Sequence, residues 1–258
     1  MWNVLLARAT DPVVAGAVMI GTAPIVFAPA AAAAWDLDWA AAAPYLAGSV
    51  AFELAYFLLL TRAYAGSELS LVYPLARGLA PVVVLVVTTL ALSVDLSLWE
   101  GVGVGVVACG VLLVRGVGKR SDARGVLFGV AIAACIAGYT IVDSYGVRHA
   151  GPIAYFEVVA IGVAVLYVPL VLHLRGAAAL RREFRAAPIA AGIAAFGAYL
   201  LVLAALERAP AAPVAAVRET SVVMATGLAA LVLGERVGPA RLAGACVVAG
   251  GVALIAVS

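Results

Sequence analysis

Apolar residues run for helix length, break for a few polar or turn-forming positions, and run again along the whole chain. The runs fall at approximately 13–34, 44–61, 71–93, 99–114, 125–147, 152–172, 188–206, 213–233 and 238–257. Most lie near the roughly 20 residues that carry a helix across the hydrocarbon core of a bilayer. The pattern therefore predicts an all-α integral membrane protein with about nine spans. The joins hold most of the turn formers and charges, among them Asp36, Asp38, Gly66, Ser67, Asp95, Gly116, Gly118 and Gly151. None is long enough to be a separate soluble domain, and the longest, residues 175–188, reads as a solvated charged loop.

Composition agrees with the pattern. Hydrophobic residues make up 66% and charged residues 12%, against roughly 45 to 50% and 25% in soluble domains, and the mean hydropathy is +1.15. A net charge of +2 arises from near-cancellation, and no basic patch of the kind that binds nucleic acid forms. Cys109, Cys135 and Cys246 stand singly in apolar runs, without metal-ligand spacing or the even count of a disulfide framework. Gly103-Val-Gly105-Val-Val-Ala108 fits a nucleotide-binding pattern in letters but lacks the strand before it and the acidic residue after it. Close helix packing through small residues explains it better. His149 and His173 lie in joins without a ligand partner, and there is no Ser/His/Asp constellation. No cofactor is expected. The expected partners are the lipid bilayer and a small-molecule solute, with homodimerisation left open.

The chain repeats itself. A shift of 141 residues places Arg77 on Arg218, Gly103 on Gly244 and Gly110 on Gly251, and a shift of 140 places Arg8 on Arg148 and Pro12 on Pro152. Such coincidences are weak singly in so biased a composition, but they share one register. Two repeats are expected, 1–116 and 121–258, each built on a five-span unit. An odd number of spans forces the copies to lie upside down with respect to each other, the plan of many secondary transporters. In that register Met1 falls opposite Ile141, so most of the first copy's opening span has no counterpart. A misassigned start or a truncated gene is the expectation there.

The runs Glu68-Leu-Ser-Leu-Val-Tyr-Pro-Leu-Ala-Arg-Gly-Leu-Ala-Pro81 and Val217-Arg-Glu-Thr-Ser-Val-Val223, with Leu233-Gly-Glu235 and the glycine-bearing last span, carry a resemblance. In them the chain resembles EamA-type members of the drug/metabolite transporter superfamily over essentially its whole length. The resemblance implies ten spans in two inverted five-span repeats and export or exchange of small metabolites. It also implies a cavity lined by spans one, three and four with their partners six, eight and nine. Two features depart from the pattern: the first span is nearly absent, and the Leu-Gly-Glu turn has only Leu92-Ser-Val-Asp95 as its first-half echo. Alternatives are a drug or nucleotide-sugar carrier of the same superfamily, a non-transporting truncated copy and, more distantly, an intramembrane enzyme.

Charge placement points to the same spans. A charge within a span costs about 2.5 to 3.5 kcal/mol at mid-helix on insertion scales, so it faces a protein interior or a watery cavity. In ten-span numbering, Glu53 and Tyr56 fall in span three, Tyr73 and Arg77 in four, Tyr139 and Asp143 in six, Tyr199 in eight, and Arg218, Glu219 and Ser221 in nine. These ten are the candidate solute-binding residues. Glu53, with Phe52, Tyr56 and Phe57 around it, is a group that could take and release a proton; a neutral packing glutamate is the competing reading. Asp143 lies near the end of its span beside Arg148, which favours an interfacial ion pair, and Glu157 reads as interfacial too. Pro74 and Pro81 flank Arg77, and Pro210 and Pro213 precede Arg218. Each removes a helical hydrogen bond, so bent, partly solvated helices carrying arginines are expected there. The planar guanidinium suits recognition of a carboxylate.

Orientation follows from the basic residues. The joins after spans one, three, five, seven and nine hold 12 of the 16: Arg8, Arg62, Arg115, Lys119, Arg120, Arg124, Arg175, Arg181, Arg182, Arg185, Arg236 and Arg241. The alternate joins hold Arg148 and Arg208. By the positive-inside rule the first set is cytoplasmic and the C-terminus lies outside, opposite to the family's usual arrangement. A C-terminal reporter that fluoresces only in the cytoplasm is expected to stay dark; a bright one reverses the assignment.

Overall fold

The structure is a computed structural model and describes residues 11–66, 69–115, 123–221, 224 and 238–256. Among these residues it is all helical. The helices are α1 Pro12–Ala33, α2 Trp39–Gly66, α3 Leu69–Leu90, α4 Leu98–Arg115, α5 Ala123–Gly146, α6 Pro152–Arg175, α7 Ala177–Glu183, α8 Ala186–Leu206, α9 Ala211–Val217 and α10 Pro239–Ala256. Five of them, α1, α2, α5, α6 and α8, are long and apolar enough to cross a membrane. Eight of the nine expected spans thus appear as helices. The ninth is described through Ser221 and at residue 224; the Leu233-Gly-Glu235 turn lies outside the described residues.

Local chemistry sets the boundaries. Asp11 caps α1, its carboxylate accepting from the amides of Val13 at 3.0 Å and Val14 at 3.4 Å, with Pro12 at the first position, where its missing N–H costs nothing. Ser97 and Glu100 form a capping box before α4: the Glu100 carboxylate accepts from the Ser97 amide at 2.7 Å, and the Ser97 hydroxyl from the Glu100 amide at 3.1 Å. One expectation needs correction. The join at 175–188 is not a mere charged loop, because Gly176, at φ 78°, turns the chain into the short helix α7. Pro74 and Pro81 both lie within the continuous helix α3.

The chain forms two compact units. The first comprises residues 1–61 and 142–208, the second 62–141 and 209–258. In the first, α1 packs on α6, α8 and α7. The pair α1 and α6 is antiparallel and tied at both ends. At one end Asp11 pairs with Arg175 at 3.4 Å; at the other the Gly151 amide donates to Asp36 O at 2.8 Å and the Asp38 amide to His149 O at 2.9 Å. The joins flanking α1 therefore lie at opposite ends of the unit, as alternating spans require. Stacked rings reinforce the second tie, with Tyr45 5.6 Å from His149 and 6.3 Å from Tyr145. Toward α8, Phe196 stacks on Phe27 at 4.2 Å and meets Phe156 at 4.6 Å.

In the second unit the most extensive packing is between α4 and α10. Their backbones touch through glycine. A Cβ on Gly110 would come within 2.7 Å of the Val248 amide nitrogen and 2.9 Å of the Gly244 carbonyl oxygen. One on Gly103 would lie 3.0 Å from the Gly251 carbonyl oxygen. As α4 advances from 103 to 110, α10 retreats from 251 to 244, so these helices also run antiparallel. The glycines read as packing residues from sequence take that role here. Gly110→Val should prevent this approach, at a cost of about 1 to 3 kcal/mol or more, whereas Gly105 has open space beside it. The expected result is loss of the monodisperse peak in size-exclusion chromatography for Gly110→Val and its retention for Gly105→Val.

Candidate solute-binding residues

Five of the ten candidates meet in the second unit. Just after α9 the helix tightens: the Glu219 amide donates to Ala216 O at 3.0 Å and the Ser221 amide to Arg218 O at 3.3 Å, three-residue spacings of the 3₁₀ kind that often mark functional positions. From this turn Glu219 points inward, 2% exposed, and its Oε1 lies 3.4 Å from Arg77 Nη1. Arg77 Nη2 also donates to the Ser221 hydroxyl at 3.4 Å. Arg218 directs Nη1 and Nη2 at the Tyr139 hydroxyl, both at 3.5 Å, and its guanidinium carbon lies 5.9 Å from the Tyr139 ring centroid. Glu219 Oε2 is buried and has no hydrogen-bond partner among the described residues. The ion pair thus joins α3 to the turn after α9. Tyr73 lies on α3, but its side chain is outside the described residues.

The first unit holds Glu53, Tyr56, Asp143 and Tyr199. Glu53 and Tyr56 are buried on α2, Tyr56 edge-on to Phe57 at 5.1 Å, while Phe52 is 39% exposed. Asp143 corrects the sequence reading. It does not pair with Arg148, whose guanidinium lies over the Tyr145 ring at 5.0 Å. Instead Asp143 is fully buried and accepts two hydroxyl hydrogens, from Tyr199 at 2.5 Å and from Tyr155 at 3.0 Å. The Tyr199 contact has the length of a charge-assisted bond, whereas the Tyr155 contact is at the long end of the ordinary O–H···O range. Tyr155 escaped the sequence reading. It reaches Asp143 because Gly146 has no side chain: a Cβ there would meet the Tyr155 hydroxyl oxygen at 2.5 Å and Cζ at 2.6 Å. Glu157 is also corrected, being buried at 3% exposure with Oε2 unpartnered among the described residues.

Long apolar helices with charges turned inward define a multi-pass membrane protein in a lipid bilayer. The model of the EamA-like transporter family matches residues 123–257, and the chain belongs to that family, whose members are membrane transporters. A solved crystal structure superposes with a TM-score of 0.77 over 99% of this chain and 94% of its own. At 14% identity that likeness shows the fold alone. Among curated proteins none matches the sequence significantly.

Proposed function

We propose that the protein moves a small organic metabolite bearing an anionic group, amino-acid-like in that respect, across the plasma (inner) membrane by alternating access. The observation that carries this reading is the arginine grouping. Arg77 and Arg218 are equivalent in the 141-residue register, both lie within spans, and both stand with Glu219, whose second oxygen is buried without a partner among the described residues. Ionised groups so placed are maintained at a cost that solute recognition explains. In this reading each guanidinium holds the solute's anionic group in one access state, and Glu219 balances charge when the site is empty.

The inverted-repeat plan, residues 1–116 on 121–258, gives the two access states their physical basis. Its support is reciprocity. Under a two-fold relation, a contact between one residue and its partner recurs with the roles exchanged. Gly103 meets Gly251 and Gly110 meets Gly244, while Gly103 is equivalent to Gly244 and Gly110 to Gly251. In the first unit Asp11 meets Arg175 and Asp36 meets Gly151; Asp11 is equivalent to Gly151, and Arg175 to Trp35, the neighbour of Asp36. The family match itself falls on the second repeat.

A thermal-stabilisation screen of the detergent-purified protein against a metabolite library tests the reading, since a ligand that binds the folded state stabilises it by an amount that grows with the logarithm of its concentration relative to Kd. Carboxylate-bearing compounds should raise the unfolding midpoint, and Arg77→Ala and Arg218→Ala should abolish the effect. Stabilisation confined to compounds without an anionic group would overturn it.

A further inference from the structure

The segment between α6 and α8 carries four arginines in eleven residues, Arg175, Arg181, Arg182 and Arg185, and the solute-transport reading gives none of them a part in holding the solute. Its structure separates two faces. Ala179, Leu180 and Glu183 of α7 turn toward the protein, with Glu183 5% exposed, and α7 packs on α1 and α6. Arg181 and Arg182 turn outward on the other side, and neither makes an ion pair or side-chain hydrogen bond with a described residue. Arg185 folds back, its Nε donating to Arg182 O at 2.7 Å, which keeps its guanidinium beside the end of α7. The segment's one acid is thus the residue that is buried, and of the four arginines only Arg175 pairs with Asp11 among the described residues. Two large apolar side chains border the arginines: Phe184 is 60% exposed and Leu174 65%.

We propose that residues 174–185 form a docking surface for anionic phospholipid of the membrane that α6 and α8 cross. Arginines beside exposed apolar groups, on a short helix held at the ends of two apolar helices, match a bilayer surface in which phosphate lies above acyl chains. Guanidinium is the side chain best shaped for phosphate oxygens. Phe184 and Leu174 enter the acyl boundary, while Arg181, Arg182 and Arg185 meet the headgroups. Gly176, whose φ of 78° favours glycine, makes the turn that lays α7 across the end of α6 instead of extending it.

The test uses the full chain purified in dodecyl maltoside and titrated with phosphatidylglycerol or phosphatidylcholine in mixed micelles, read by thermal unfolding and by lipid adducts retained in native mass spectrometry. Phosphatidylglycerol should raise the unfolding midpoint and be retained, and phosphatidylcholine should do neither. Apparent affinity should fall about fivefold for each arginine removed, the equivalent of about 1 kcal/mol apiece, so that Arg181→Gln, Arg182→Gln and Arg185→Gln together remove the preference. The midpoint of that triple variant in phosphatidylcholine should stay at the wild-type value, which separates lost docking from lost folding. Phe184→Ala should weaken retention without changing the preference for the anionic lipid. The proposal is overturned if the triple variant keeps the preference, if both lipids stabilise equally, or if inorganic phosphate added to phosphatidylcholine micelles reproduces the full shift.

Discussion

Arg77→Lys and Arg218→Lys should each reduce transport of the stabilising solute by roughly tenfold or more, the equivalent of losing one hydrogen bond to a charged group. Charge is conserved in both variants. What is lost is the planar fork that binds a carboxylate through two parallel hydrogen bonds. Lysine would still balance Glu219, so expression and membrane insertion should persist. Flux into proteoliposomes, normalised to reconstituted protein, reads the difference. Both arginines engage protein partners at 3.4 to 3.5 Å, the long end of hydrogen-bond geometry. If both lysine variants carried solute at the wild-type rate, the arginines would be anchors, and recognition would have to rest on Glu53 and the tyrosines.

The second large effect is on stability. Asp143→Ala should leave the buried hydroxyls of Tyr155 and Tyr199 without their carboxylate, at about 1 to 3 kcal/mol for each orphaned group, and lower the unfolding midpoint sharply. Asp143→Asn, which retains an acceptor oxygen, should lose less. Because removing all partners of a buried polar contact costs less than removing one, Tyr155→Phe with Tyr199→Phe should recover part of the loss in the alanine background, a coupling that a double-mutant cycle measures. Additive effects would show that the three side chains do not act as a unit. Gly146→Ala offers a further check, since the added methyl would displace the Tyr155 ring.

The spans were legible because period and length are one-dimensional properties. The glycines aligned by counting are those at which α4 and α10 approach each other. Charge placement also found the residues that group around Glu219. It failed where burial depends on which way a helix faces. Asp143 lies five residues from Arg148 and looked paired with it, but the partners that decide its environment, Tyr155 and Tyr199, come from other helices and are ordinary span aromatics by pattern. Glu157 lies near a span end, where a carboxylate normally meets water, yet the start of α6 is covered. The inward face of α7 was hidden in a segment dense with arginine, because counting charges does not show that Ala179, Leu180 and Glu183 share one side of a helical turn.

The central claim is that the two halves of the chain are inverted copies. The most direct measurement labels single cysteines, in a background lacking Cys109, Cys135 and Cys246, with a membrane-impermeant maleimide on intact cells and again after permeabilisation. Asp95→Cys reports the join before α4 and Gly238→Cys the join before α10, both exposed positions. Inversion predicts labelling of Asp95→Cys on intact cells and of Gly238→Cys only after permeabilisation. Labelling of both from the same side would place α4 and α10 parallel in the membrane and contradict the inverted-repeat account.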